Sequence, residues 1–321
     1  MLRRLALAVT LLSLAAPALA QSPYPSKPIH LIVPFPPGGG TDLFSRTIAG
    51  KLTEKLGWTI VVDNKPGAGG NLGVDAAAKS PADGHTMVMG QTSDLAVNPT
   101  LYRKLPYDPV KDLAPVVLVA SAPIILVVAD SAAFRSLADV VNAAKQKPGR
   151  LTLATPGNGT VAHLTGVMLQ RAAGVELVHV PYKGASQALP DLMGGQVDLY
   201  SSSVSSVIGQ IKSGKVRAIV VASAKRSPAL PEVPTVAESG YPGFDADSWY
   251  GLLMPAGAPP AIVQRVNAEV NQLLSLPDVR ERIGAEGGEA LGGTPARFAA
   301  LLKADLAKWA EAVRQSGAKV D

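Results

Sequence analysis

The stretch Ile32-Val33-Pro34-Phe35-Pro36-Pro37-Gly38-Gly39-Gly40-Thr41-Asp42 carries the chain from an apolar strand, through prolines and glycines, into a helix. Pro34, Pro36 and Pro37 remove N–H donors and fix direction, whereas Gly38, Gly39 and Gly40 allow torsions and close approaches that side chains forbid. Thr41 reads as the N-cap and Asp42 suits the positive end of the helix. Phe44, Ile48, Leu52 and Leu56 then recur every fourth residue as its buried face. Free N–H groups at a helix start, aimed at a bare glycine loop, attract carboxylate or phosphate. The competing reading is a tight strand-to-helix turn that holds no ligand.

The pattern repeats outward from this point. A strand over 58–63 leads to a second glycine loop, Asn64-Lys65-Pro66-Gly67-Ala68-Gly69-Gly70-Asn71, and a short helix. Asp83-Gly84 signals a turn, 85–89 a third strand, and Gln91-Thr92-Ser93-Asp94 a polar loop at its end. Such alternation predicts a parallel sheet with helices on both faces, and ligands bind beyond the carboxyl ends of such strands.

Two apolar runs, 113–120 and 123–129, follow with only Ser121-Ala122 between them, which reads as the chain leaving one sheet and entering another. Alternation restarts with a helix over 136–147, a strand over 151–154, the glycine loop 155–159 and a helix from Thr160. Strands at 177–180, 197–200 and 216–221 continue it, with a helix from Ala185 and the serine run 201–206 between them. Ser248 to Met254 reads as a strand that crosses back. Helices near 260–275, 277–286 and 294–316 form a tail that covers the first domain. The expectation is an α/β fold of two domains joined by a two-stranded hinge, able to close on a ligand. Residues 21–120 with 247–321 make domain 1, and 121–246 make domain 2.

Residues 1–20 read as a secretory signal peptide: Arg3-Arg4, an apolar core over 5–14, and Ala18-Leu19-Ala20 before Gln21. With no cysteine the chain has neither a lipoprotein anchor nor disulfides. About 300 residues follow, enough for two cores. The formal charge of +5 falls to about +3 without Arg3 and Arg4, and the remaining basic residues are scattered. With 5% aromatic residues, nucleic acid is not an expected partner.

Tests for catalytic chemistry come back empty. His30, His85, His163 and His179 are far apart, with no His pair at i, i+4 and no Gly-x-Ser-x-Gly elbow. The serine run 201–206 reads as a polar helix start rather than a nucleophile. None of the glycine loops carries Gly-Lys-Ser/Thr. Gly67-Ala68-Gly69-Gly70-Asn71-Leu72 has Leu72 where a dinucleotide fingerprint needs its third glycine. No enzyme activity, cofactor or metal is expected. Amide-rich loops from two domains suit a binding protein, since backbone N–H groups and helix ends hold a carboxylate without a lysine or arginine.

The residues 33–42, 64–73, Asn98-Pro99-Thr100-Leu101-Tyr102, Leu105-Pro106-Tyr107-Asp108-Pro109, Pro181-Tyr182-Lys183-Gly184-Ala185 and Ser248-Trp249-Tyr250-Gly251 together resemble the Bug family. These are extracytoplasmic solute receptors of tripartite tricarboxylate transporters, and the resemblance spans the mature chain. It implies a Venus-flytrap clamp of the periplasmic-binding-protein type, working as a monomer in the periplasm. It also implies capture of a small carboxylate (a di- or tricarboxylate, an acidic amino acid or an aromatic carboxylate) and its delivery to membrane permease subunits. Carried over to this sequence, it places ligand contacts at Phe35, Pro37, Gly38, Gly39, Gly40, Thr41 and Asp42 on one side. On the other it places them at Thr155, Gly157, Asn158, Gly159, Thr160 and His163, with Thr92, Ser93, Tyr182, Gly184 and Ser202 completing the set. Asp42 orients the loop or holds a bridging water rather than facing an anion. His163 has two readings, a satisfied structural histidine or a ligand donor, and Lys183 reads as a surface or closure residue. Two departures alter pocket polarity: Ser202 stands where an acid is common, and Asp94 where a small or polar residue is common. If an acid at 202 greets a ligand amino group, Ser202 disfavours amino acids. A sensor for a signalling protein and a small-carboxylate enzyme are the alternative readings.

Overall fold

The computed structural model describes residues 24–182 and 185–320. The signal-peptide reading of 1–20, and Lys183 and Gly184, lie outside the described residues. The chain opens with β1 (Ile29–Val33), α1 (Gly40–Leu56), β2 (Ile60–Asn64), a 3-10 turn at Ala68–Gly70, α2 (Asn71–Ala78) and β3 (Thr86–Gln91). β1 pairs in parallel with both β2 and β3, as the alternation predicts. A π-helical turn (Ser93–Val97) and α3 (Asn98–Leu101) follow. The polar loop expected at 91–94 is thus strand and then helical turn, because Gln91 N–H donates to Asp94 Oδ1 (2.9 Å) and folds the chain back at once.

The apolar runs at 113–120 and 123–129 are one strand, β4 (Leu113–Ala129). No turn residue separates them, and Ser121 and Ala122 fit the pleat. Then come α4 (Leu137–Gln146), β5 (Thr152–Thr155), α5 (Val161–Ala173), β6 (Val178–Pro181), α6 (Ala185–Met193), β7 (Leu199–Ser203), α7 (Val204–Lys212) and β8 (Val216–Val221). The chain ends with β9 (Asp247–Pro255), α8 (Pro260–Ser275), α9 (Pro277–Ala285), β10 (Glu289–Ala290) and α10 (Pro295–Ser316).

β4 belongs to two sheets. Leu113 to Pro123 pair antiparallel with β9 in the first sheet, whose order continues through β3 and β1 to β2. Ile124 to Ala129 pair with β7 and β8 in the second, which continues through β5 to β6. The return crossing is at Asp247, which pairs with Pro123, while Ala246 N–H donates to the carbonyl of Ala222 just past β8 (2.8 Å). Two adjacent strands therefore carry the whole connection, the hinge of a two-domain clamp.

Strand direction fixes where the loops go. β3 and β4 are both antiparallel to β9, so β1, β2 and β3 run toward the second sheet. β7 is antiparallel to β4 and parallel to β5, so β5, β6 and β7 run toward the first. The carboxyl edges of both sheets thus point across the hinge at each other, where open α/β sheets bind ligands.

Apolar burial holds each lobe. Phe44, Ile48 and Leu52 of α1 pack with Leu31, Met87 and Met89 on one face of the first sheet. On its other face Phe298, Leu302 and Trp309 of α10 join a cluster that continues into Leu153 and Leu164 of the second lobe. α10 touches α5 as well as α3 and β4, so this helix reaches both lobes.

Candidate functional site

The first half of the site is the loop between β1 and α1. Its helix begins at Gly40, and the N-cap is Gly39 in extended conformation (φ −87°, ψ 169°), not Thr41. Thr41 lies buried inside the first turn. No side chain caps this helix; Asp42 in its first turn instead reaches back to the loop, Gly38 N–H donating to Asp42 Oδ2 (3.0 Å). Arg46 Nε and Asn64 Nδ2 donate to the same carboxylate at 3.0 Å, and Asn64 Nδ2 also reaches the Phe35 carbonyl at 3.0 Å. Burial raises the Asp42 pKa, but the bonds from Arg46, Gly38 and Asn64 outweigh it and hold the carboxyl below its usual range. Asp42 is thus a brace. The first amides of α1 that follow Gly38 have no intrahelical carbonyl and carry the dipole's positive end.

Gly40 meets the second lobe. A Cβ there would stand 2.9 Å from Ser205 Oγ at the start of α7 and 2.9 Å from Tyr250 Oη on β9. Ser205 Oγ lies 3.0 Å from Ser203 Oγ, which lies 2.9 Å from Ser206 Oγ. This hydroxyl cluster, joined by Tyr250, was not among the expected contacts. The serine run was legible as a helix start, but its approach to Gly40 depends on residues far apart in sequence.

The second glycine loop lies beside the first. Gly70 has φ 98°, open to glycine, and a Cβ there would come within 2.9 Å of Phe35 Cζ and 3.1 Å of Asp94 Oδ2. Asn98 Nδ2 donates to the Gly69 carbonyl (2.9 Å) and to Asn71 Oδ1 (2.7 Å), pinning the loop. Thr92 and Ser93 are buried at the end of β3, and Thr92 Oγ1 accepts from Trp249 N–H (2.9 Å), tying this edge to the hinge strand.

In the second lobe Thr155 to His163 form one hydrogen-bonded unit. Thr160 caps α5, its Oγ1 accepting from His163 N–H (3.3 Å) and donating to the Gly157 carbonyl (2.9 Å). Gly159 N–H donates to His163 Nδ1 (3.0 Å), so that nitrogen bears no proton. The His163 ring stacks on His179 at 3.8 Å, and burial, then the His179 ring, hold its pKa down at about 4. The Nδ1 of His163 is therefore engaged within its own loop, and the ring is neutral near pH 7. Gly159 abuts Leu101 of the first lobe, and the exposed Asn158 donates from Nδ2 to the Lys319 carbonyl (2.5 Å).

Tyr182 donates from its hydroxyl to Asp191 Oδ2 (2.7 Å). Ser202 lies within β7 rather than in a loop after it, because the strand extends to Ser203. Its buried Oγ makes no hydrogen bond of good geometry, with the Tyr200 hydroxyl two residues back on the same strand as its polar neighbour. Pro37 is exposed on the first loop. A cavity of about 360 Å³ also opens at the hinge, between Ser121, Asp247 and Trp249 on one side and Ser223, Asp305 and Lys308 on the other. None of its lining residues comes from the glycine loops. Among the described residues no cluster of side chains suits a metal ion, and no helix is long and apolar enough to cross a membrane.

Residues 44–318 match the family described as the tripartite tricarboxylate transporter family receptor. Protein BugT of Bordetella pertussis is 38% identical over 308 residues, covering 96% of this chain and 94% of that protein. Among solved structures, an R. palustris protein with adipate superposes with a TM-score of 0.87 at 34% identity, covering 92% of this chain and 99% of that one. MatC from Rhodopseudomonas palustris with bound malate gives 0.81 at 32% identity, covering 90% and 100%. Opposed carboxyl edges, a two-stranded hinge and these likenesses lead to one assignment: the chain belongs to the tripartite tricarboxylate transporter receptor family, the Bug-type solute-binding proteins.

Proposed function

We propose that this chain is a periplasmic receptor that closes its two lobes on a small dicarboxylate and hands it to the membrane permease of a tripartite tricarboxylate transporter. The observation that carries this reading is the opposition of amide-rich glycine loops at the carboxyl edges of two sheets, each braced by its own side chains. Preorganised N–H groups bind a carboxylate without reorganising, and a closed cleft strengthens them by excluding water. Malate and adipate, found in two relatives, fit a pocket that takes one carboxylate per lobe. The lobes are taken as 21–120 with 247–321 and as 121–246, and the receptor works as a monomer. Phe35 to Asp42 and Thr155 to Thr160 line the cleft with Thr92, Ser93, Tyr182 and Ser202, and Gly184 is kept as a ligand contact on the family resemblance alone. His163 and Asp42 act through the loops they hold.

The test is calorimetry on protein stripped of ligand by unfolding and refolding, with malate, adipate, citrate, nicotinate and glutamate. One-to-one binding of a dicarboxylate is expected, with glutamate weaker because Ser202 offers an ammonium group no charge. Tight glutamate binding would sink the role given to Ser202. Binding of none of these carboxylates, beside retention of a neutral or cationic solute detected by mass spectrometry of the denatured protein, would sink the proposal.

A further inference from the structure

Asp94 is fully buried in the turn after β3, and its two oxygens differ. Oδ1 accepts Gln91 N–H at 2.9 Å, whereas Oδ2 is buried without a partner. The Tyr107 hydroxyl donates to the main-chain carbonyl of Asp94 (2.5 Å), not to its carboxyl. The elements packed around this turn bring charges that are engaged elsewhere. α10 contributes Asp305, which accepts from Trp249 Nε1 (2.6 Å), and Lys308, paired with Asp245 (3.3 Å). Asp75 of α2 is paired with Lys79 (2.7 Å), and neither β3 nor the 68–70 turn carries an ionisable side chain. A carboxyl with one amide donor and no cation keeps its proton, and burial pushes the Asp94 pKa well up. With Oδ1 occupied by an incoming N–H, the proton belongs on Oδ2. A buried donor without an acceptor calls for an explanation.

Its surroundings supply one. A Cβ built on Gly70 of the second glycine loop would meet both Asp94 Oδ2 (3.1 Å) and Phe35 Cζ of the first loop (2.9 Å), so Oδ2 lies against Gly70 close to the Phe35 ring, and Phe35 is partly exposed. We propose that Asp94 is a specificity-determining residue of this receptor: its neutral carboxylic acid, uncovered when the Phe35 ring turns aside, donates from Oδ2 to a carboxylate oxygen of a dicarboxylate ligand. The inference rests on the carboxylate-receptor reading above. Such an acid–carboxylate bond is charge-assisted, and it avoids the repulsion of two anions. It selects an ionised carboxylate over an amide or ester, neither of which accepts as strongly.

Asp94→Asn and Asp94→Ala separate this role from a packing role. Asparagine can accept from Gln91 N–H through Oδ1 and donate through Nδ2, reproducing the pattern without a charge. Calorimetry with malate and adipate should show the asparagine variant within about threefold of wild type and the alanine variant weakened by about tenfold or more. Circular dichroism of the unliganded variants checks that both fold. Wild-type affinity in the alanine variant would overturn the proposal, as would loss of dicarboxylate binding in the asparagine variant. If the asparagine variant lost only aspartate and glutamate binding, Asp94 would be an ammonium acceptor and the proposal would also fall. Failure of wild type itself to bind any dicarboxylate would instead remove the underlying reading.

Discussion

Replacing Gly40 by alanine tests the contact between the first loop and the second lobe. In a helix interior this change normally stabilises by about 1 kcal/mol. Gly40 is not held at positive φ, so the backbone accepts alanine. The new methyl group, however, would stand 2.9 Å from both Ser205 Oγ and Tyr250 Oη and 3.2 Å from Tyr250 Cζ, against an ordinary contact of at least 3.4 Å. Overpacking of this kind costs about 1–3 kcal/mol. Tyr250 belongs to the hinge strand beside α1, so its share of the clash falls on every state of the protein. Ser205 starts α7 across the hinge, so its share falls only when the lobes are closed. Gly40→Ala should therefore lower the melting temperature of the unliganded protein and, with about half of the clash falling on Ser205, weaken ligand binding by roughly 2- to 13-fold, since each 1.4 kcal/mol is a factor of ten. Gly50, exposed on the same helix with open space where its Cβ would be, is the control: Gly50→Ala should raise the melting temperature and leave affinity alone. Adding Ser205→Ala and Tyr250→Phe to Gly40→Ala removes both oxygens and should restore much of the loss. Scanning calorimetry and titration calorimetry read the two effects. If Gly40→Ala behaves like Gly50→Ala, α1 does not pack against α7 in the closed receptor and the reasoning fails.

Asp42→Asn should destabilise by about 1–2 kcal/mol, a range kept modest because Arg46 is about half exposed. The folded Asp42 pKa lies below its unfolded value, so its contribution is present above about pH 4 and is lost as pH falls through the folded pKa. The variant should therefore lose stability less steeply than wild type on acidification, as urea titrations at successive pH values would show. His163→Ala should cost about 1–3 kcal/mol by orphaning Gly159 N–H, with dicarboxylate affinity changed less than threefold. A loss of affinity above tenfold without loss of stability would make His163 a ligand donor. Because the folded His163 pKa, about 4, lies below the ordinary 6.5, the unfolded chain takes up a proton first and wild type loses stability as pH falls between those values. That part of the slope should vanish in the alanine variant.

The alternation of strands, glycine loops and helices is local, and for that reason the sequence displays it: periodicity and turn residues place α8 at 260–275 and α10 near 294–316 almost as observed. Two features turn on distant partners. Thr41 has the right chemistry for an N-cap, but the helix starts at Gly40, and Asp42 is held there by Asn64, which lies 22 residues along the chain. The passage from one sheet to the other near Ser121-Ala122 is legible, but that one strand makes it without a break follows from pairing with β9, more than a hundred residues later. Ser205, Tyr250 and Gly40 form a contact that no spacing rule finds, since three separate elements supply it.

On the proposed reading the first glycine loop has a limited role in recognition. Its one charged side chain, Asp42, is consumed by Gly38, Arg46 and Asn64, which leaves the loop amides and a helix end to meet the ligand. These register negative charge at a fixed place and distinguish poorly between carboxylates, because every carboxylate presents the same two oxygens. Discrimination must come from groups that sense the rest of the molecule or its ionisation. On the proposal above, those are the unpartnered Oδ2 of Asp94 near the first two loops and the buried hydroxyl of Ser202 on the second sheet. Exchanging Asp94 and Ser202 for the residues of a differently selective relative, while keeping both glycine loops, should therefore move ligand preference. Exchanging the loops while keeping those two residues should change affinity for all carboxylates together, a contrast that titration against malate, adipate and glutamate would resolve.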